Sequence, residues 1–575
     1  MKDNPMPLLH QMLESLIFDP GAPADIRTSG ARAWFDQSWA DPKGFFKTLL
    51  KAYQKTRRVT VKSVPYSRYD FIYDIFEKQN NPAALAFIRY DANGRCHRVT
   101  YGELKQLADR RTEEWAAKGI LPGNCVCLVY PVGLEFTVSL LAALKLGLVI
   151  SLAPPGRPYL MKRQLWALDP DYIATSPVYA DLVDTFRDKM IHTLPTTRKI
   201  TDERSRIYES GQPALRIFDV SSETVLEPKE IPCDTLYLNA ARDGVIALNL
   251  TPGDILSAPG FSAGLTQPFL LLSVLFSGAA FMNLTSSLVG KLPQMPEEMR
   301  PTVMGITPEF RDLPATRVGE ILKRCRFWFR APAGPGEIDQ WQAFITQKNL
   351  GKTLTGVIKY HPQAGGVLAL SRRCKGITRE TLLPSPGMSW QIVPLPEGGM
   401  LPSQDFGRMA VQVGQEERMT PYLFVKNKGE WVYPASYPDE VRERFYTREL
   451  VADFIRETRF KLPFMVMAVH RAGATFRTHD LVIFSGSRNI SDPAGLAQKL
   501  KDRISRYLGS EYCPNRVEFL PILPRLARDG SVDAGWCMKA YATNRLNKLA
   551  GHPVFKGIAR LKDMMLIQTR ITIKI

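Results

Sequence analysis

From Tyr69 onward the apolar positions alternate between helical and strand-like spacing. "RYDFIYDIFEKQ" carries its apolar residues at helical intervals and predicts a helix. "ALAFIRY" and "CHRVTY", separated by the turn "DANG", predict a hairpin. Thr100 followed by Glu103 is a capping box, which starts a helix carrying Leu104, Leu107, Ala108 and Trp115 and ending at Gly119. "LPGNCVCLVYP" then reads as a buried strand, "GLEFTVSLLAALKLG" as a helix and "LVISLAPP" as another strand. The alternation continues through "PDYIATS", a helix from Leu236 to Leu250, "DILSAP" and "PFLLLSVLFSGAAF". Helix and strand in regular turn predict a parallel α/β sheet.

After Tyr433 the pattern changes. "PDEVRERFYTRELVADFIRET", "PFMVMAVHR", "LVIFSG", "AGLAQKLKDRISRYL" and "RVEFLPILP" predict a smaller α+β domain. The chain therefore divides into an N-terminal extension at 1–68, a large domain at 69–433, a small domain at 434–545 and a basic extension at 546–575. The extension at 1–68 holds short amphipathic pieces and the basic stretch "KAYQKTRRVTVK", to which the sequence assigns no chemistry.

Composition narrows the class. A chain of 575 residues, 45% hydrophobic, has material for a large core. Seventy-five Lys and Arg against 57 Asp and Glu leave a net charge of +18, with no uninterrupted run of five or six basic residues. Eight cysteines are sparse and lack paired zinc-ligand spacing. Cys125 and Cys127 alternate within an apolar strand and read as core. The start "MKDNPMPLLHQMLE" lacks the pattern of a secretory signal, and the expected location is the cytoplasm. The most apolar run, 269–284, is too short to span a bilayer and reads as a buried helix and strand. The seven histidines show no metal-ligand spacing, so no metal site is expected; His361 alone falls in a loop of interest.

The stretch "VTYGELKQLADRRTEEWAAKGILPGNCVCLVYPVGLEFTVSLLAALKLGLVISLAPP" resembles the opening of the adenylate-forming (ANL) superfamily: acyl- and aryl-CoA synthetases, AMP-dependent ligases, adenylation domains and luciferases. The resemblance covers roughly residues 70 to 545. It implies an α/β fold, with a large N-terminal domain of parallel-rich sheets and helices and a smaller C-terminal α+β domain. It also implies activation of a carboxylate by ATP through an acyl-adenylate, often followed by transfer to a thiol.

The resemblance also assigns positions. The family's phosphate loop falls on "SSETVLEPKE", where Ser221, Ser222, Thr224 and Lys229 keep its polarity. Glu223, Leu226 and Glu230 stand where its glycines would be. A side chain at a left-handed glycine position costs about 1–2 kcal/mol. A carboxylate about 4 Å from a phosphate charge adds roughly 4 kcal/mol at an effective dielectric near 20. The adenine-side element falls on Pro332 and Ala333, with Pro332 replacing a glycine. The metal-holding Thr-Glu pair falls on Pro362 and Gln363, and the ribose-binding Asp on Tyr422, which offers no carboxylate. The catalytic Lys position is Ser531, with Arg528 as the nearby substitute cation. "PGFSAGLTQPF" resembles the segment bordering the acyl pocket, giving Phe261, Ser262, Gly264 and Leu265 as candidate lining.

These replacements lead to the expectation of a degenerate ligase that lacks standard ATP-dependent adenylation and serves as an acyl- or carboxylate-binding protein or as a subunit of an assembly. In that case no cofactor is expected. The alternative is a divergent acyl-CoA or acyl-carrier-protein synthetase, which requires ATP, Mg2+ and, in the first case, CoA. A third reading, binding to nucleic acid or a membrane surface, rests on charge alone; no specific nucleic-acid motif is present and no transmembrane segment is expected. Expected partners are an acyl or aryl carboxylate and a protein partner held through the tail "QTRITIKI", whose isoleucines alternate as in an edge strand.

Overall fold

The computed structural model describes residues 17–18 and, with gaps, 34–551; the gaps that bear on the site are 219–226, 262–265, 334–336, 395–405, 428–429, 433–447 and 527–531. Two compact units emerge. The first contains Met1–Pro155, Gln164–Asp219 and Glu227–Tyr437, and the second Gly156–Arg163, Val220–Leu226 and Pro438–Ile575.

The first unit is built on two parallel-rich sheets. In the larger, the strands Ala280–Asn283, Ile255–Ser257, Val303–Ile306, Phe327–Arg330 and Leu354–His361 lie side by side and parallel. The hairpin Leu85–Tyr90 and Cys96–Thr100 extends that sheet past Ala280–Asn283. The smaller sheet orders Pro228–Pro232, Pro213–Phe218, Val149–Leu152, Cys125–Val129, Tyr172–Thr175 and Met190–Ile191. Cys125 and Cys127 are both buried in it. An antiparallel sheet of Trp390–Pro394, Phe406–Val413, Glu416–Asn427 and Glu430–Val432 completes the unit.

Local signals account for most of these elements. The Thr100–Glu103 capping box is formed reciprocally and starts the helix Tyr101–Ala117. Phe269 to Ser277 is buried throughout as the end of the helix Gln267–Ser277, and Ala280–Asn283 follows as a strand. Two predicted helices need correction. Arg68–Tyr69 pairs as a short strand with Tyr208–Glu209, and Tyr73–Glu77 winds as a π-helical turn. The helix expected from Leu236 to Leu250 runs as an α-helix over Cys233–Arg242 and then as a π-helical turn over Asp243–Ala247. Both π turns carry an aspartate buried almost completely, Asp74 and Asp243. The widened backbone accompanies inward-facing carboxylates that helical periodicity would direct to water.

Residues 34–68 belong to the same unit as the two sheets. The helix Pro42–Arg57 is capped by Asp41, which accepts from the Gly44 amide at 2.9 Å. It buries Phe45, Phe46, Leu49, Leu50, Ala52 and Tyr53. Each large side chain so buried contributes about 1.5–3 kcal/mol. Tyr53 donates to the Phe276 carbonyl at 3.0 Å, Arg57 donates to the Leu250 carbonyl at 2.8 Å, and Trp39 meets Trp390 edge-on at 5.3 Å. Below this helix Lys78, also buried, donates to the same Phe276 carbonyl at 2.5 Å and lies 3.7 Å above the Phe276 ring.

In the second unit, Phe464–Val469 pairs antiparallel with Thr478–Phe484, which pairs parallel with Arg516–Leu520. The helices Arg448–Glu457, Pro493–Tyr507, Ala534–Ala542 and Arg545–Gly551 accompany this sheet. Among the described residues no helix is long and apolar enough to cross a membrane.

Candidate functional site

Parallel strands deliver their crossover loops to the carboxyl edge of a sheet, where ligands of open α/β proteins bind. On the larger sheet that edge gathers Phe261, Thr307, Arg330 with Pro332 and Ala333, and His361 with Gln363. Phe261 packs against Phe329 with ring centroids 5.5 Å apart. Gly305 lies beneath them, and a Cβ there would come within 2.7 Å of Phe329 and 2.9 Å of Phe261. The Thr307 hydroxyl is buried without a hydrogen-bond partner among the described residues. Gly260, at φ +81°, keeps the space beside it open, since a Cβ there would lie 2.8 Å from the Thr307 oxygen. Arg330 and Arg311 both direct their guanidinium groups at the Trp341 ring, at 5.0 and 4.9 Å from its centroid.

The turn Pro362–Ala364 is held from below by the helix Cys233–Arg242 and the π turn after it. Asn239 donates to the Ala364 carbonyl and Arg242 to the Val367 carbonyl, each at 2.8 Å. Asp243 accepts from the Val367 amide at 2.8 Å and pairs with Arg242 at 2.7 Å. Burial raises the Asp243 pKa, with the Arg242 charge and these hydrogen bonds opposing it. Gly366 makes this close approach possible, because a Cβ there would sit 2.5 Å from the Asp243 carboxylate.

From above, Arg418 closes the turn. Its guanidinium donates to the Gln363 carbonyl at 3.2 Å, to the Glu230 carbonyl, and to the Glu416 carboxylate at 2.9 Å. Gln363 is buried, and its side-chain nitrogen has no partner among the described residues. The Tyr360 hydroxyl is likewise buried without a partner among them, and burial, with the Asp243 charge adding to it, pushes that phenol's pKa well up.

The sequence matches no protein-family model and no curated protein sequence. Solved structures do match. Acetoacetyl-CoA synthetase from Streptomyces lividans superposes with a TM-score of 0.61 at 14% identity, over 97% of this chain and 98% of that one. An amide bond synthetase from Marinactinospora thermotolerans gives 0.60 at 15%, over 82% and 99%. The o-succinylbenzoate CoA synthetase of Bacillus subtilis gives 0.59 at 13%, over 83% and 98%. The fold is that of the adenylate-forming enzymes.

On this adenylate-forming fold the sequence-derived positions fall as follows. Lys229 lies on the strand Pro228–Pro232, half-buried and paired with Glu227 at 2.8 Å. Glu230, on the same strand, faces Arg216 of the neighbouring strand and pairs with it at 2.7 Å. Ser221, Ser222 and Thr224 lie outside the described residues, as do Glu223 and Leu226. Pro332 and Ala333 are buried directly after Arg330. Tyr422 sits on the strand Glu416–Asn427, and Thr420 beside it is buried with its hydroxyl donating to the Met409 carbonyl at 2.6 Å. Phe261 reaches the sheet edge, whereas Ser262, Gly264 and Leu265 lie outside the described residues. So do Arg528, Ser531 and the tail from 552 onward. The flanks of the Ser531 segment meet as a bridge between Leu526 and Val532 in the second unit.

The donor set around Gln363 does not fit a divalent cation. The Gln363 side chain is a neutral amide whose buried nitrogen is a donor, and a guanidinium already occupies its backbone carbonyl. Among the described residues no group of three or more His, Cys, Asp or Glu side chains could hold a metal ion. Sequence reading missed Arg418, Asn239, Arg242 and Asp243. Only Arg418 left a trace: it stands two residues before Thr420 in an alternating strand, hence on the same face.

Proposed function

We propose that this chain is an acyl- or carboxylate-binding protein, or a subunit of an assembly, that uses an adenylate-forming scaffold without standard Mg-ATP-dependent adenylation. The observation that carries the reading is Arg418 closing over Gln363. A divalent cation about 5 Å from that guanidinium would meet roughly 7 kcal/mol of repulsion at an effective dielectric near 20. Glu416, 2.9 Å from the guanidinium but mostly exposed, offsets only part of it. The acyl end would be received by Phe261 and Phe329 at the sheet edge, with the Thr307 hydroxyl as a donor for a carbonyl or carboxylate oxygen.

The test is a titration with Mg-ATP, followed by carboxylate-dependent pyrophosphate exchange across fatty and aromatic acids. No exchange is expected, while an acid that binds should raise the melting temperature with or without ATP. A loss of about 4 kcal/mol is already near a thousandfold in affinity, so ATP binding should fall below practical detection. The second reading, a divergent synthetase using ATP, Mg2+ and a thiol acceptor, draws on Lys229. Its partner Glu227 is exposed, so a polyphosphate could displace it. Robust exchange abolished by Lys229→Ala would establish that reading and overturn the first; exchange that instead needs Arg528 would identify the replacement cation.

A further inference from the structure

Along the helix Pro42–Arg57, Lys43, Lys47, Lys51 and Lys55 recur every fourth residue, and all four are exposed. The opposite face, from Phe45 to Tyr53, is buried in the first unit. The row is therefore fixed to the protein and directed at solvent. At 1.5 Å per residue it runs about 18 Å, inclined across the helix as i, i+4 ridges are. No Asp or Glu occurs from Pro42 to Tyr69, while eight Lys and Arg do. Among the described residues Lys47 and Lys51 have no carboxylate partner, and Lys43 only approaches the Tyr66 ring, at 5.6 Å. Arg58 and Lys62 prolong the exposed basic surface beyond the helix.

We propose that this lysine row is a docking surface for the phosphate backbone of a nucleic acid, engaged without regard to base sequence. The composition of the row selects this occupant. Protein interfaces favour aromatic residues, Met and Arg and are poor in Lys, and the exposed face of this helix has no aromatic residue or Met. Membrane-surface helices anchor through an apolar face, and here that face is already packed inside the protein. A narrow file of point charges suits the densest linear polyanion. A duplex carries one charge per about 1.7 Å of axis, and each neutralised phosphate releases counterions. No base-reading side chain accompanies the row, so specificity for sequence is not expected.

The test is fluorescence anisotropy of the full chain with a labelled 20-base-pair duplex at several salt concentrations. Four engaged lysines give a log–log slope near −3.6, so raising salt from about 50 to 200 mM should weaken binding by about 150-fold. The triple variant Lys43→Gln, Lys47→Gln, Lys51→Gln should lose about 2.7 of that slope, leaving a weakening of about 3.5-fold. Circular dichroism should show its fold unchanged, since all three side chains are exposed. A control, Lys499→Gln, Arg503→Gln, Arg506→Gln, removes the same charge from exposed positions of the helix Pro493–Tyr507 and should keep the parent slope. Equal loss in both variants would assign binding to net charge and overturn the proposal, as would an unchanged slope in the first. Lysine-dependent binding to phosphatidylserine vesicles or polyglutamate, with none to the duplex, would also overturn it.

Discussion

Replacing Lys78 with Met should change how stability depends on pH, by an amount set by its surroundings. Lys78 is buried against the Phe276 and Tyr53 rings. Burial pushes its pKa down from 10.5 to about 7, with Asp74 acting in the opposite direction and Arg57 assisting. Below about pH 7 both the folded and unfolded chain carry the proton, and the slope from this group is zero. Between about 7 and 10.5 the unfolded chain holds one more proton than the folded one. Stability therefore rises with pH through that window, by about 1.4 kcal/mol per pH unit, and the gain is lost as pH falls from 10.5 back to about 7, below which nothing more is lost from this group. The full cost of keeping the charge buried is about 5 kcal/mol.

Methionine matches the stem and abolishes the titration. The Phe276 carbonyl remains bonded to the Tyr53 hydroxyl, and Asp74 keeps hydrogen bonds from the Lys62 and Ser63 amides and the Tyr237 hydroxyl. Urea denaturation of parent and variant at pH 7 and pH 9, followed by tryptophan fluorescence, subtracts the titration of the groups that Lys78 does not touch and leaves that of Lys78 with its neighbour Asp74. From pH 7 to pH 9 the parent should gain about 2.3 kcal/mol more than Lys78→Met, since Lys78 is half-titrated at pH 7. Parallel pH profiles would refute the reasoning, since they would mean that Lys78 titrates alike in the folded and unfolded chain.

Two further outcomes follow from the packing. Asn239→Ala leaves the Ala364 carbonyl without its donor and should cost about 1–3 kcal/mol, with faster hydrogen exchange in residues 362–367 than elsewhere in the first unit. Gly387→Ala adds a methyl group at φ +71°, 2.2 Å from the Phe45 ring. It should lower stability by at least about 1–2 kcal/mol and alter the fluorescence of the Trp39–Trp390 pair, whereas Gly351→Ala, which meets nothing within 4 Å, should leave that fluorescence unchanged.

What the sequence determined by itself was whatever neighbours along the chain decide. The Thr100–Glu103 box, the buried helix before Ala280 and the strand–helix–strand unit from Cys125 to Leu152 each depend on residues a few positions apart. The fold class follows from their order. The two π turns escaped because an inward aspartate departs from helical periodicity and takes a partner far along the chain: Tyr237 for Asp74, the Val367 amide for Asp243. Arg418 reaches Glu230 across 188 residues and Gln363 across 55, so no local pattern could announce that one guanidinium joins the two strands and the turn. The lysine row is a subtler case. Its four lysines are never adjacent, and along the sequence they read as dispersed charge. The 3.6-residue turn brings them onto one side, and only the burial of Phe45, Phe46, Leu49, Leu50 and Tyr53 within the first unit decides that this side faces water. Tertiary structure supplied the long-range term in each case, because burial and hydrogen bonding depend on which segments meet in space.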